Sequence, residues 1–541
     1  MKHWGHRSAV RGAHGVAALV WTVIAGTNAA TAAGTTAEFC PEVYPKRVIS
    51  LPFNPAFLHI EKFNTADGGQ RDALLMSSFY NAIKNPAGTK LERLFQRDLV
   101  ARITDLDGDP EQAPPVEIIS DLDEVPRQVW PNETSRVPDG VVPFEAVVSP
   151  QGFQSAAPPG RLSLINLDDP RRGEYLVDQS SFQPPKCAPG SRDNQPWFYH
   201  DAAFIDMDDD GLLDIVSVRS SFKVRGGFCP PSGQLLWFRN PGADLQPDVE
   251  WEEFVLVDTV PKPGGPEVNM KAADMDGDGV PEIIATHFFK YDGITIYGAP
   301  EGGRWSDVDP VNGPFVRQND IMRGQGNPFA VHVEDLNLDG RLDVLTSNHQ
   351  PDGCFEVTQS DVPGRVIVLE QPRRGDIFKR KWQLHVVKDN IRPNPTFPAP
   401  KMGPGRLAPN RAVAFWPARV LQGVTRPWLL VGGDEASKVW VLKPRYPLDP
   451  SRWEYDSAVI FDINDHYGAN ASQTLLDDPQ GITISTIGGL TWRYDQAGPL
   501  GLAEIYFPVF EARDIHVISF RPTDAGRIAC PPDVSVACPV N

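Results

Sequence analysis

Three short acidic runs hold most of the chemistry-bearing side chains of this sequence. Asp206, Asp208 and Asp210 form the first, Asp274, Asp276 and Asp278 the second, and Asp335, Asn337 and Asp339 the third. Each run continues with a glycine at its sixth position (Gly211, Gly279, Gly340) and an acid at its ninth (Asp214, Glu282, Asp343). A hard divalent cation such as Ca²⁺ takes about six to eight oxygen ligands at ~2.3–2.6 Å. Side chains at positions 1, 3 and 5 of a tight turn point inward, glycine permits the bend, and position 7 offers a carbonyl. The acid at position 9 then completes a cage, so these twelve residues are the expected Ca²⁺ ligands. An EF-hand would instead need a bidentate Glu at position 12 between two helices. Position 12 here holds Ser217, Ala285 and Thr346, and the flanks read as strands. A fourth run, Asp105-Leu106-Asp107-Gly108-Asp109, lacks the glycine at position 6 and reads as a metal-free acidic turn.

The elements that must hold these loops repeat with them. Ala202–Ile205, Met270–Ala273 and Val331–Glu334 precede the loops, and Ile215–Val218, Ile283–Thr286 and Val344–Thr346 follow. The loops begin 68 and 61 residues apart, the size of one elaborated four-stranded propeller blade. A later apolar stretch and a proline lead in step to Trp251, Trp305, Trp382 and Trp453, read as a third strand, a turn, and a fourth strand whose Trp packs between blades. Fainter copies of the second strand lie at Asp72–Phe79, Phe144–Val148 and Trp428–Val431. The expected fold class is therefore all-β: a β-propeller over residues 45–522, with seven four-stranded blades and calcium-binding inter-strand loops. Residues 523–541 read as a cysteine-containing tail or closure strap.

Composition agrees, with 53 Pro and 46 Gly and no long helical pattern. The net charge of −19 disfavours nucleic acid and anionic membranes. Residues 1–33 have a basic start (Lys2, Arg7, Arg11), a short apolar centre and the small residues Ala30-Thr31-Ala32, the layout of an export signal. Export would permit disulfides among Cys40, Cys187, Cys229, Cys354, Cys530 and Cys538, with the pairing open among 15 arrangements. Two triplets, Asn132-Glu133-Thr134 and Asn470-Ala471-Ser472, are sequons that fit a secreted glycoprotein. Arg374-Gly375-Asp376 reads as a common turn after a third strand rather than an adhesion motif.

The three loops, with their strand flanks and spacing, resemble the FG-GAP/VCBS repeat propellers, which include integrin α heads, fungal lectins and sugar lyases. The resemblance covers residues 195–460 strongly and implies structural Ca²⁺ that ties the first two strands of a blade together.

If the acidic loops share one face, the second strands end on the other. They deliver Arg219, Thr286 and His287, Asn348 and His349, and Asp434 and Glu435 there, and the first strands begin nearby with Trp197, His200, Asn269 and Asn327. His200, Arg219, His287, Asn348, His349 and Asp434 are the expected ligand-binding residues. Lys271 and His332 hold matching first-strand positions and would either line the central channel or be satisfied between blades. No nucleophile elbow, zinc motif or phosphate loop is present. The expectation is an exported monomer that binds a small or carbohydrate-like ligand at that mouth. The alternative is a lyase, dehydratase or cyclase using His287, His349, Glu435 and Arg219.

Overall fold

The computed structural model describes residues 42–65, 67–79, 98–109, 112–120, 130–152, 160–169, 174–179, 197–221, 232–259, 265–288, 293–351, 362–393, 407–468, 486–496 and 501–521. The proposed signal, all six cysteines, Asn470 and residues 523–541 lie outside them. Seven four-stranded antiparallel sheets are present, each a simple meander from an innermost to an outermost strand. Blade 1 uses Pro55–Asn64, Gln70–Ser78, Leu99–Ile103 and Val116–Ile118. Blade 2 uses Ser135–Arg136, Ala146–Pro150, Arg161–Asn166 and Glu174–Gln179. Blade 3 uses Phe198–Ile205, Asp214–Ser221, Ser232–Arg239 and Glu252–Asp258, and blade 4 Met270–Ala273, Glu282–His287, Gly293–Gly298 and Arg317–Arg323. Blade 5 uses Pro328–Glu334, Asp343–Asn348, Gly364–Glu370 and Gln383–Ile391, and blade 6 Ala412–Phe415, Trp428–Gly432, Lys438–Pro444 and Tyr455–Asp462.

Blade 7 is built from both ends of the described chain. Thr491–Tyr494, Ala503–Val509 and Asp514–Arg521 supply three strands, and Glu42–Ser50 adds the outer fourth by pairing Ser50 with Asp514 through to Glu42 with Arg521. The strap that closes the ring is thus N-terminal. Among the described residues no helix is long and apolar enough to cross a membrane.

Side chains alternate across each pleat, so every strand feeds two inter-blade cores. Ile215, Leu236 and Phe238 pack toward blade 2, whereas Val216, Val218, Leu235 and Trp237 pack toward blade 4. The four repeated tryptophans are inter-blade wedges. Trp251 joins Tyr175 and Val177, Trp305 joins Val218, Trp382 joins Ile294 and Ile296, and Trp453 joins Val366 and Val368, each on the preceding blade.

Asparagines bolt the inner ends of the blades together. Asn269 donates from Nδ2 to Asp201 in blade 3 at 2.6 Å and accepts at Oδ1 from the Val331 amide in blade 5 at 2.8 Å. Asn132 donates to the Gly152 and Tyr199 carbonyls at 2.9 and 2.7 Å and is fully buried. An amide nitrogen held in that way is not open to a glycan, so the first sequon is structural in the folded chain.

Candidate functional site

The acidic loops share one backbone. The sixth residue is left-handed in each, with φ of 88° at Gly211, 88° at Gly279 and 83° at Gly340. The first acid accepts that residue's amide at 2.8–3.0 Å: Asp206 from Gly211, Asp274 from Gly279 and Asp335 from Gly340. Ligand oxygens of Asp206, Asp208 and Asp210 lie within 4.8 Å of one another, as do those of Asp274, Asp276 and Glu282. An all-oxygen donor set of this kind fits a hard cation.

The ninth-position acids are buried, and they also brace the protein. Asp214 accepts from the Met207 and Asn240 amides at 2.8 Å each, Glu282 from Met275 at 2.9 Å, and Asp343 from Gln371 at 2.9 Å. Burial, with nearby carboxylates, pushes Asp214 up to about 6, Glu282 to about 7 and Asp343 to about 8. A bound cation inverts that pressure by favouring the charged forms. Two loops also carry an internal cation: Arg239 donates to Asp208 at 2.7 Å, and Arg341 pairs with Asp339. In the fourth run, Asp107 is the ion-pair partner of Arg493 at 2.5 Å. Asp376 accepts the Phe378 amide at 2.9 Å, as expected of a turn.

The opposite face carries a different constellation. Phe57 lies 6.2 Å from Phe79, 6.3 Å from Phe329 and 5.6 Å from His200, so blades 1, 3 and 5 meet over the axis. Phe79 stacks on Trp130 at 4.2 Å and lies 5.6 Å from Phe510. Phe329 also touches Phe288 at 5.9 Å and His349 at 5.1 Å. Phe79, Trp130, Phe288 and Phe329 remain half-exposed. Trp130 and Asp434 hold left-handed backbones, with φ of 50° and 47°. Such conformations are costly for residues with a side chain and gather at functional sites.

His349 and Asp434 come together at this mouth, with Nε2 3.6 Å from Oδ2, while His349 Nδ1 is 2.9 Å from the Pro409 carbonyl. Glu435 is close by and accepts the Leu407 amide at 2.7 Å. The other expected residues are occupied elsewhere. Arg219 lies between blades 2 and 3, bidentate to Glu253 at 2.7 and 2.8 Å and stacked 4.9 Å over Trp197. Asn348 is buried and donates to the Gln325 and Pro363 carbonyls at 2.6 and 2.9 Å. His287 turns into the interface of blades 3 and 4, 3.3 Å from the Tyr297 hydroxyl, and its neighbour Phe288 reaches the mouth instead. His287 and His349 therefore do not form an acid–base pair.

Burial pushes His287 down to about 4 from the usual 6.5. An unfolded chain takes the proton first, so stability is complete above pH ~6.5 and declines as pH falls toward 4. Relative to a His287→Gln variant, wild type should lose about 3 kcal/mol over that window. Urea midpoints of both proteins at pH 7 and pH 4 check this, and parallel profiles would contradict it.

Beneath the aromatic cap lies a polar belt. Glu133 accepts from His59 at 2.6 Å and from Arg411 of blade 6, bridging the channel. Asp201 accepts from Lys271 Nζ at 2.9 Å. Lys271 and His332 both line the channel, and burial, then Lys271 and Arg411, push His332 down to about 4. The sequence reading missed Glu133, His59, Arg411 and the aromatic cap. The available signal was an aromatic just after a proline at first-strand starts, as in Pro55-Ala56-Phe57 and Pro328-Phe329.

Comparison with known proteins agrees on the scaffold. A family described as the FG-GAP-like repeat matches residues 274–346, from the second acidic loop into the second strand of blade 5. No curated protein sequence matches this chain. Among solved structures, a puromycin-hydrolyzing peptidase of Mycobacterium tuberculosis is similar at 12% identity and a TM-score of 0.34, over 86% of this chain and 56% of that one. A puromycin hydrolase mutant complexed with PGG is similar at 12% identity and a TM-score of 0.32, over 84% and 58%. This chain spans little more than half the length of those two enzymes.

Proposed function

For a seven-bladed β-propeller that carries an FG-GAP-like repeat, we propose an exported, calcium-braced module that binds a small or carbohydrate-like ligand at the mouth opposite the acidic loops. The observation that carries this is the half-exposed aromatic cluster over the axis, flanked by His349, Asp434 and Glu435. Flat rings offer apolar contact to the C–H face of a sugar, and the polar rim offers hydrogen bonds to its hydroxyls. Binding is favoured over proton-transfer chemistry because His287 is withdrawn between blades and His349 is committed to a backbone carbonyl. Calcium in this reading is structural, drawing the first two strands of blades 3, 4 and 5 together.

Retention on immobilised neutral mono- and oligosaccharides tests the mouth. Wild type should be retained, and Trp130→Ala should lose at least tenfold in affinity while melting close to wild type. If no saccharide retains the wild type, the reading fails.

Calcium is tested separately. Each occupied site should add ~2.7 kcal/mol at 100-fold over Kd, so melting should fall sharply in EDTA. Asp276→Ala should remove one equivalent of bound metal. An EDTA-insensitive melting temperature, or loss of every equivalent at once, would count against the assignment.

A further inference from the structure

The inner strands change character along their length. In Pro55–Asn64, Phe198–Ile205, Met270–Ala273 and Pro328–Glu334 the residues nearest the mouth are mostly buried, and those nearer the acidic loops are mostly half-exposed. The channel is thus sealed by the aromatic cap and reached by water from the acidic-loop side. The Lys271 side chain, 40% exposed, marks that open half.

Within the channel the charges largely cancel in pairs. Lys271 is held by Asp201 and Arg411 by Glu133. Neutral hydrogen-bonding capacity is left over. Nδ1 of His200, Nε2 of His332 and Oε1 of Glu133 are buried atoms without a hydrogen-bond partner among the described residues. His200 and Glu133 are themselves 3% and 2% exposed. His200 stands between Phe57 and Phe329, at 5.6 Å from each, and Glu133 spans from His59 of blade 1 to Arg411 of blade 6, which puts both on the axis. Buried polar atoms of this kind are rarely left unmet.

We propose that the central channel is a second binding site, separate from the mouth, for a small neutral polyol or monosaccharide that enters from the acidic-loop face. Paired charges give an ionic ligand no net partner. Hydroxyl groups both donate and accept, so one ligand satisfies two imidazole nitrogens and a carboxylate oxygen, with the inner faces of Phe57 and Phe329 as its floor. The site does not depend on the mouth binding anything.

The test uses the mature protein with ¹⁵N-labelled histidine, titrated with glycerol, myo-inositol and D-glucose. Imidazole nitrogens of His200 and His332 should shift on saturation with at least one probe, while those of His287 stay fixed. His332→Phe should weaken that probe about tenfold, the size of one buried hydrogen bond. Trp130→Ala should leave the channel titration unchanged, which separates it from failure of the mouth reading. Should the histidine variant fold poorly, the wild-type titration alone decides. If neither imidazole responds to any probe up to its solubility limit, the channel holds water only and the proposal is overturned.

Discussion

Replacing Glu133 with Ala should cost the fold about 3–5 kcal/mol, the usual result of stranding a buried charge. Its carboxylate is 2% exposed and takes Arg411, itself 8% exposed, from across the channel, together with His59. Removing it leaves the guanidinium dry and unpaired. Urea denaturation measures the loss, and a Glu133→Leu/Arg411→Met double variant should cost clearly less than the two single changes added together. The acid limb supplies a second reading. Although burial opposes it, Arg411 and then His59 hold the Glu133 carboxyl well below its ordinary value. Its stabilisation is therefore complete above the unfolded value of about 4.3 and is lost as pH drops below that. The gap between wild type and variant should close in the same range. A loss under about 1 kcal/mol at pH 7 would refute the bridge.

A loss of similar size, about 3–5 kcal/mol, is expected for Arg493→Met, concentrated where the ring closes. Arg493, on the innermost strand of blade 7, lies 2.8 Å from the fully buried Glu504, 2.5 Å from Asp107 and 3.8 Å from Asp72 of blade 1. It also donates to the Tyr506 hydroxyl at 3.0 Å, and Lys46 of the N-terminal strand reaches Glu504 as well. Hydrogen exchange should quicken first at Val48 and Ile49, which pair with His516 and Ile515. Uniform quickening across all blades would show that Arg493 does not govern the seam.

Blade architecture was legible in the sequence wherever an element repeated. The acidic loops, the strands around them and the tryptophan wedges recur in register, and the faint copies at Asp72, Phe144 and Trp428 fall on second strands of blades 1, 2 and 6. Ring closure was not legible, because Glu42–Ser50 carries neither loop nor tryptophan and is defined only by its distant partner. The mouth was half legible. Strand order gave the correct end for His287 and Arg219, but not the side of the pleat, and a shift of one residue exchanges the two sides. Phe288 faces the axis where His287 does not. The aromatic cap escaped notice because its members come from different positions in different blades: Phe57 and Phe329 begin first strands, while Phe79, Phe288 and Phe510 follow second strands.

The two-ended construction of blade 7 sets a clock on biosynthesis. Ser50 emerges from the ribosome roughly 460 residues before its partner strand is finished. At ~5–20 residues per second that delay is on the order of 25–90 s. Throughout it the first strand has no partner, and blades 1 to 6 can assemble only as an open arc. The edge at Asp514–Arg521 is capped only by a segment made at the very start, so a chain clipped within residues 42–50 would keep its first six blades yet present a bare strand to its neighbours, a template for self-association.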